Sequence, residues 1–263
     1  MSIYFAEQKW PELKQAAEDE TLIIVPMGTV EEHGKHLPIE TDARIAEGFG
    51  KAIAEEIQDE LPVLVTPTIW SGYSAKEMSR WPGTIRVRTR VVMDMVFDII
   101  SSIIEMGFEK IIMLDCHGHH SGLLKTVSRE ISDEYGVYIG ITSPAVFSRD
   151  EYDKIRKTEQ GGSIHGGEWE TALMMYLTDL VAEDEFTKED IMKYHSDFVA
   201  GDNFKGSQKV TWSTWGIQRS KTGIYGDPTP ATREMGEKIF AAALKNYVKF
   251  IKEFYENNQS YQV

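Results

Sequence analysis

Six of the seven histidines fall into three short clusters, and each cluster sits beside carboxylates. The first runs Glu31-Glu32-His33-Gly34-Lys35-His36, with Asp42 a few residues on. The second is Asp115-Cys116-His117-Gly118-His119-His120, and the third is His165-Gly166-Gly167-Glu168-Trp169-Glu170. Imidazole nitrogens and carboxylate oxygens are the ligands that zinc and its first-row neighbours take. Imidazole also titrates near neutral pH, so it can move protons. Repeated at three separated places, the pattern is what a metal-dependent hydrolase needs when its fold gathers the loops.

Each candidate has a structural alternative. Glu31 and His33 lie two apart, so in an extended segment they face one side and both can reach one metal centre. Asp42 could be an ordinary first-turn helix acid; beside Glu31 and His33 it reads better as a ligand, and a carboxylate can bridge two ions. Glu32 alternates away, towards solvent or a supporting role. His36, ahead of Leu37-Pro38, is either a ligand or a hydrogen bonder within its loop. His117 reads as a ligand because Asp115, His119 and His120 crowd around it. His119 shares its side and is a second ligand or a substrate contact; His120 is a further candidate substrate contact. Cys116 points the other way, into the core. His165 and Glu170 mark a helix N-terminus or, functionally, a proton carrier and a ligand. Tyr73 and Trp81 lie in a Gly-, Pro- and aromatic-rich loop that could wall a substrate pocket or form a subunit contact.

The elements that must position these residues alternate. Short β-branched runs at Thr21–Met27, Val63–Thr66, Lys110–Leu114 and Val137–Ile141 read as strands. Amphipathic or apolar stretches at Asp42–Gln58 (capped by Thr41), Val91–Met106, Ser121–Tyr135, Glu168–Leu177 and Ala231–Tyr255 read as helices. This predicts an α/β fold, one domain over 1–263, with a mainly parallel sheet covered by helices. Ligands of such sheets sit beyond the strands' C-terminal ends. The first two clusters begin there. The aromatic-rich stretch Trp212–Tyr225 reads as an interface or a pocket wall.

Bulk properties exclude several classes. A net charge of −14 over 263 residues argues against nucleic acid or an anionic membrane as partner. The single cysteine excludes an internal disulfide and suits a reducing cytoplasm. No stretch has a signal-peptide layout or approaches a membrane span in length. Gly48-Phe49-Gly50 lacks the third glycine of a dinucleotide loop, and there is no Gly-x-Ser-x-Gly elbow. The expected partner is a small-molecule substrate.

The ordered motifs resemble the creatininase family over nearly the whole chain. They are Val25-Pro26-Met27-Gly28 leading into Glu31-Glu32-His33-Gly34-Lys35-His36-Leu37-Pro38 and Thr41-Asp42, then Trp81-Pro82-Gly83-Thr84, His117-Gly118, His165 to Thr171, Gly226-Asp227-Pro228 and Ala231-Thr232. The resemblance implies a three-layer α/β/α domain, a homohexamer, and two divalent metal ions such as zinc, manganese or iron. By position, Glu31 and His117 would serve one ion and His33 the other, with Asp42 bridging. Glu170 matches a glutamate near the metals, and His165 a histidine implicated in proton transfer. The implied reaction is hydrolysis of a small cyclic amide or related carbonyl compound by a metal-activated hydroxide. Family branches that open a keto-inositol ring supply an alternative, and a non-catalytic metal- or metabolite-binding protein is a third.

This chain also departs from the family. It reads Asp115-Cys116-His117 where the family has Asn-Gly-His, and His119-His120 where Gly-Asn is common. His119 stands where creatininase has a metal-binding glutamate. Ala145 and Gly161 stand near the positions of the tryptophans that enclose creatinine, which implies a different substrate.

Overall fold

A computed structural model describes residues 2–212 and 217–258. Four strands, β1 (Leu22–Met27), β2 (Val63–Val65), β3 (Ile111–Asp115) and β4 (Gly140–Thr142), form an all-parallel sheet in the order β2-β1-β3-β4. The register pairs Ile23 with Ile111 and Met27 with Asp115, so the ends of β1 and β3 lie level.

Strand alternation divides the core in two. Leu22 and Ile24 of β1, with Ile112 and Leu114 of β3, face α2 (Thr41–Ile57), α6 (Glu168–Leu177) and α7 (Arg233–Asn257). α5 (Pro144–Ile155) packs on the same side, against α7. Ile23, Val25 and Met27, with Ile111 and Met113, face α3 (Thr89–Glu105) and α4 (Ser121–Tyr135) on the other side. α1 (Trp10–Glu18) adds Ala16 to that second layer. The six residues of β1 are all buried, as expected for a central parallel strand covered on both faces. The result is the three-layer α/β/α architecture.

The helices at Ser121–Tyr135 and Glu168–Leu177 have the expected bounds. Two others carried too little pattern to be expected. α1 buries only Ala16, and α5 is mostly polar, with Pro144 opening its first turn. The last strand begins later than expected: Val137 and Ile139 are buried, but strand pairing starts at Gly140. Thr41 is the first helical residue rather than the cap, and its hydroxyl donates to the Pro38 carbonyl. Among the described residues, no helix is long and apolar enough to cross a membrane.

β1 leads leftwards to β2 and, by a second crossover, its other neighbour is β3. The gap beyond β1 and β3 is therefore a topological switch point, where a doubly wound sheet opens a crevice. Gly28, just past β1, lets the strand end meet the start of α2. A Cβ there would lie 2.4 Å from the Ala43 nitrogen. That contact brings Asp42 into the crevice.

Candidate metal centre

All three clusters converge on the switch point. The loop after β1 supplies Glu31 and His33, the start of α2 supplies Asp42, the turn after β3 supplies His117 and His119, and the loop entering α6 supplies His165 and Glu170. Together they line a cavity of about 190 Å³, with Gly118, Ile164 and Asn203 completing the wall. A larger cavity of about 660 Å³ lies at the other end of the sheet, by the N-terminal ends of β1 and β3, around Glu20, Lys110 and Tyr255, and no histidine lines it.

The donor atoms form two groups, Glu31–His117–His119 and His33–His165–Glu170, each within 4.8 Å. Glu31 and His33 thus enter different groups rather than one centre. Asp42 touches both: Oδ1 lies 3.3 Å from His33 Nε2 and Oδ2 lies 2.8 Å from His117 Nδ1. Thr29 Oγ1 also donates to Asp42 Oδ2 at 2.6 Å. Asp42 does stand in the first turn of α2, and from there its carboxylate meets His33, His117 and Thr29.

The electrostatics are those of a dense buried cluster. Burial would lower the His33 pKa, but the Asp42 carboxylate outweighs it and lifts the ring to about 10. Burial is likewise outweighed at His117, where Glu31 and Asp42 lift the ring to about 9. Burial would raise Glu31 and Asp42, yet the neighbouring imidazoles hold both below the usual carboxylate range. Burial raises Glu170. His119 falls to about 4, through burial and the charge on His117.

The residues fit a metal. Both carboxylate oxygens of Glu31 and Nε2 of His117 are buried with no hydrogen-bond partner among the described residues. Orphaned buried polar atoms are rare and costly. Here they sit opposite one another, with His117 Nε2 3.7 Å from Glu31 Oε2, an arrangement that a cation between them would satisfy.

Other candidates take different places. His120 is fully buried and does not line the cavity. Its Nδ1 meets Asp115 Oδ1 at 2.9 Å, and its Nε2 accepts the Tyr73 amide at 3.1 Å. Both of its ring nitrogens are thus engaged within the protein. Tyr73 lies outside the lining but presents an edge-on ring to His119, with centroids 6.0 Å apart. Trp81 stacks under Arg80, also outside the cavity. Glu32 is buried rather than solvated. It accepts the Gly34 amide and lies 3.7 Å from His165 Nε2. His36 bonds Thr171 Oγ1 at 3.0 Å and joins neither ligand group. Cys116 packs against the core. Within the stretch 212–225, residues 213–216 lie outside the described residues, while the Tyr225 amide holds the His165 carbonyl at 2.9 Å.

Sequence reasoning missed Ile164 and Asn203. Asn203 lies about forty residues beyond His165 and carries no motif, so only the folded loop brings it in. Gly161 holds a left-handed φ of +94°, and a Cβ there would lie 2.0 Å from the Met192 carbonyl oxygen. No tryptophan fits at that position.

The creatininase family model, creatinine amidohydrolase, matches residues 6–251. The mycofactocin precursor peptide peptidase of Mycobacterium tuberculosis is 25% identical over 86% of this chain and 83% of its own. Creatinine amidohydrolase of Pseudomonas putida is 24% identical over 96% and 97%. The 3-dehydro-scyllo-inosose hydrolase of Thermotoga maritima is 25% identical over 66% and 56%. A solved manganese creatininase superposes with a TM-score of 0.77 at 22% identity, over 96% of this chain and 98% of its own, which shows the shared fold. With a family match spanning nearly its whole length and the motif residues gathered in one crevice, this chain belongs to the creatininase family of hydrolases.

Proposed function

We propose that this chain is a dinuclear metal hydrolase acting on a small amide or related carbonyl compound. The observation that carries the reading is the buried, hydrogen-bond-free Glu31 carboxylate facing His117 Nε2, with Asp42 reaching from that group to His33. Glu31, His117 and His119 would hold one divalent ion, and His33 and Glu170 the other, with Asp42 between them. Each set combines imidazole with carboxylate, which suits zinc, manganese or iron. Bound there, the ions would acidify a water and polarise a carbonyl.

The chain's own residues do the rest. Thr29 fixes Asp42 by donating to Oδ2, and the Gly166 amide fixes Glu170 by donating to Oε2 at 2.7 Å. His165 lies 3.4 Å from Glu31 Oε1 and 3.7 Å from Glu32 Oε1. It is placed to pass a proton to a departing nitrogen.

The test is metal analysis joined to a hydrolysis panel of lactams, formamides, short peptides and keto-inositols, run separately with zinc and manganese. Metal at two ions per chain with cleavage of an amide is the expected result. Cleavage of keto-inositols alone would move the chain to C–C bond hydrolysis, a reaction in keeping with its inosose-hydrolase relative. Metal uptake with no turnover on any compound would sink the enzymatic reading. Replacing His165 should lower turnover and spare the metals; metal loss in that variant would make His165 a ligand.

A further inference from the structure

With the candidate ligands set aside, the described residues leave Gly118, Ile164 and Asn203 on the cavity wall. A Cβ built on Gly118 meets nothing within 4 Å, so this residue contributes space. Ile164 contributes an apolar surface. Asn203 has a side chain that can both donate and accept hydrogen bonds. No lysine or arginine lines the cavity among the described residues.

Asparagine on a surface loop usually bonds its own backbone. The Asn203 carboxamide makes no such bond among the described residues. Its backbone, by contrast, is held on both sides. The amide donates to the Ser163 carbonyl at 2.9 Å, and Arg149 Nη2 donates to the Asn203 carbonyl at 2.8 Å.

The preceding residue is the anchor. Asp202 Oδ1 accepts the Phe204 and Lys205 amides, both at 2.9 Å. Its Oδ2 accepts the Gly161 and Ser163 amides at 2.8 and 3.2 Å. Arg156 adds a two-pronged bond at 3.0 and 2.9 Å, with both side chains essentially fully buried. One carboxylate therefore pins Asn203 and the loop that leads to His165 to the same point. Burial alone would raise that carboxyl, but Arg156 and the Lys205 and Phe204 amides hold it below its ordinary range. Asn203 is exposed at the cavity wall, and with its backbone locked this firmly its carboxamide, which has no partner among the described residues, is open to a ligand that enters the cavity.

We propose that Asn203 is the substrate-recognition residue of this site, and that its carboxamide pairs with an amide or ureide group of the substrate. The inference rests on the hydrolase reading above and names the chemical class its substrate presents. A carboxamide carries donor and acceptor in one plane, and the group that answers both is another planar donor–acceptor pair. Ile164, immediately before His165, would pack the apolar part of the same molecule.

The test uses the zinc-loaded full chain and three probes, hydantoin, a γ-lactam and N-acetylglycinamide, with binding followed by ligand-observed NMR. Asn203→Leu keeps the size and removes the polarity; Asn203→Asp keeps the acceptor and removes the donors. Both should retain the wild-type zinc content and urea midpoint. Binding of the N–H-bearing probes should weaken about tenfold or more in Asn203→Leu, the effect of leaving ligand polar groups unanswered. The fully N-methylated hydantoin should not distinguish wild type from that variant. Equal affinity of wild type and Asn203→Leu for every probe would overturn the proposal, as would wild type binding none of the three. Probe binding that depends on Asn203, in a protein that takes up zinc but cleaves nothing, would sink the hydrolase reading alone. Amide cleavage unaffected by Asn203→Leu would sink the Asn203 assignment alone.

Discussion

Glu31 and His33 stand two residues apart on one loop yet deliver their side chains to different ligand groups, Glu31 to His117 and His119, His33 to His165 and Glu170. The loop leaving β1 therefore runs along the seam between two candidate ion positions. The residue that answers both is Asp42, from the first turn of α2.

That geometry makes Asp42 the residue whose loss is felt at both positions. Asp42→Ala should lower metal content at both together, with at least about a tenfold loss of affinity, the scale seen when groups supporting a metal site are removed. Replacing His33 should empty one position and leave the other filled. Metal counting by mass spectrometry on the two variants checks this. Full metal content in Asp42→Ala would end its assignment as the shared ligand.

How much of this was legible in the chain depends on the element. The β1 loop and the β3 turn were readable because strand ends in a parallel sheet are where sites form, and their histidines follow the strands directly. That Glu31 and His33 part company was not readable. Two-residue spacing places side chains together only in an extended segment, whereas here the His33 ring folds back so that Nδ1 meets the Glu31 carbonyl at 2.9 Å, just ahead of the turn at Gly34. His120 looked like a pocket residue from its neighbours His117 and His119. The short 3₁₀ turn at Gly118–His120 instead rotates it inwards, onto Asp115. Asn203 was invisible because its place depends on Asp202 and Arg156 meeting across 46 residues of chain.

The raised imidazole pKa values make metal uptake a proton exchange. His33, near 10, and His117, near 9, both stand above the ordinary 6.5, so both rings hold protons in the metal-free chain at neutral pH. A ligating nitrogen must shed its proton. Zinc added at pH 7.5 should therefore expel a proton from each ring, readable with an indicator dye. Apparent affinity should rise with pH towards 9–10 and fall as the solution is acidified.

The same shifts fix the sign of stability in the metal-free protein. A folded-state pKa above the unfolded value contributes stability that is full below about 6.5 and is lost as pH rises through 9 and then 10. Thermal melts of the metal-free chain should fall across that alkaline window. The zinc-loaded protein, whose rings are already neutral, should not show the same loss.

Gly118 faces open cavity space, so Gly118→Val should fill it without touching the backbone packing. The substitution is expected to preserve metal content while raising KM for any substrate that reaches the candidate ions. Unchanged KM and kcat would mean that substrate does not pass this wall.

The Asp115–His120 pair offers a prediction about stability rather than catalysis. Asp115 Oδ1 accepts from His120 Nδ1 at 2.9 Å and from the His117 amide at 3.3 Å, while His120 Nε2 accepts the Tyr73 amide. One buried ring thus ties the loop carrying Tyr73 to the end of β3, and Tyr73 in turn meets His119 edge-on. His120→Leu preserves much of the volume but strands the Tyr73 amide and leaves Asp115 Oδ1 with only the His117 amide. The expected loss is about 1–3 kcal/mol, the penalty for leaving a buried polar group unanswered. Urea denaturation of the zinc-loaded variant measures it. His120→Gln keeps a donor and an acceptor on a flexible stem, so part of the loss should return. A His120→Leu midpoint equal to wild type would show that the Tyr73 loop is held by something other than this ring.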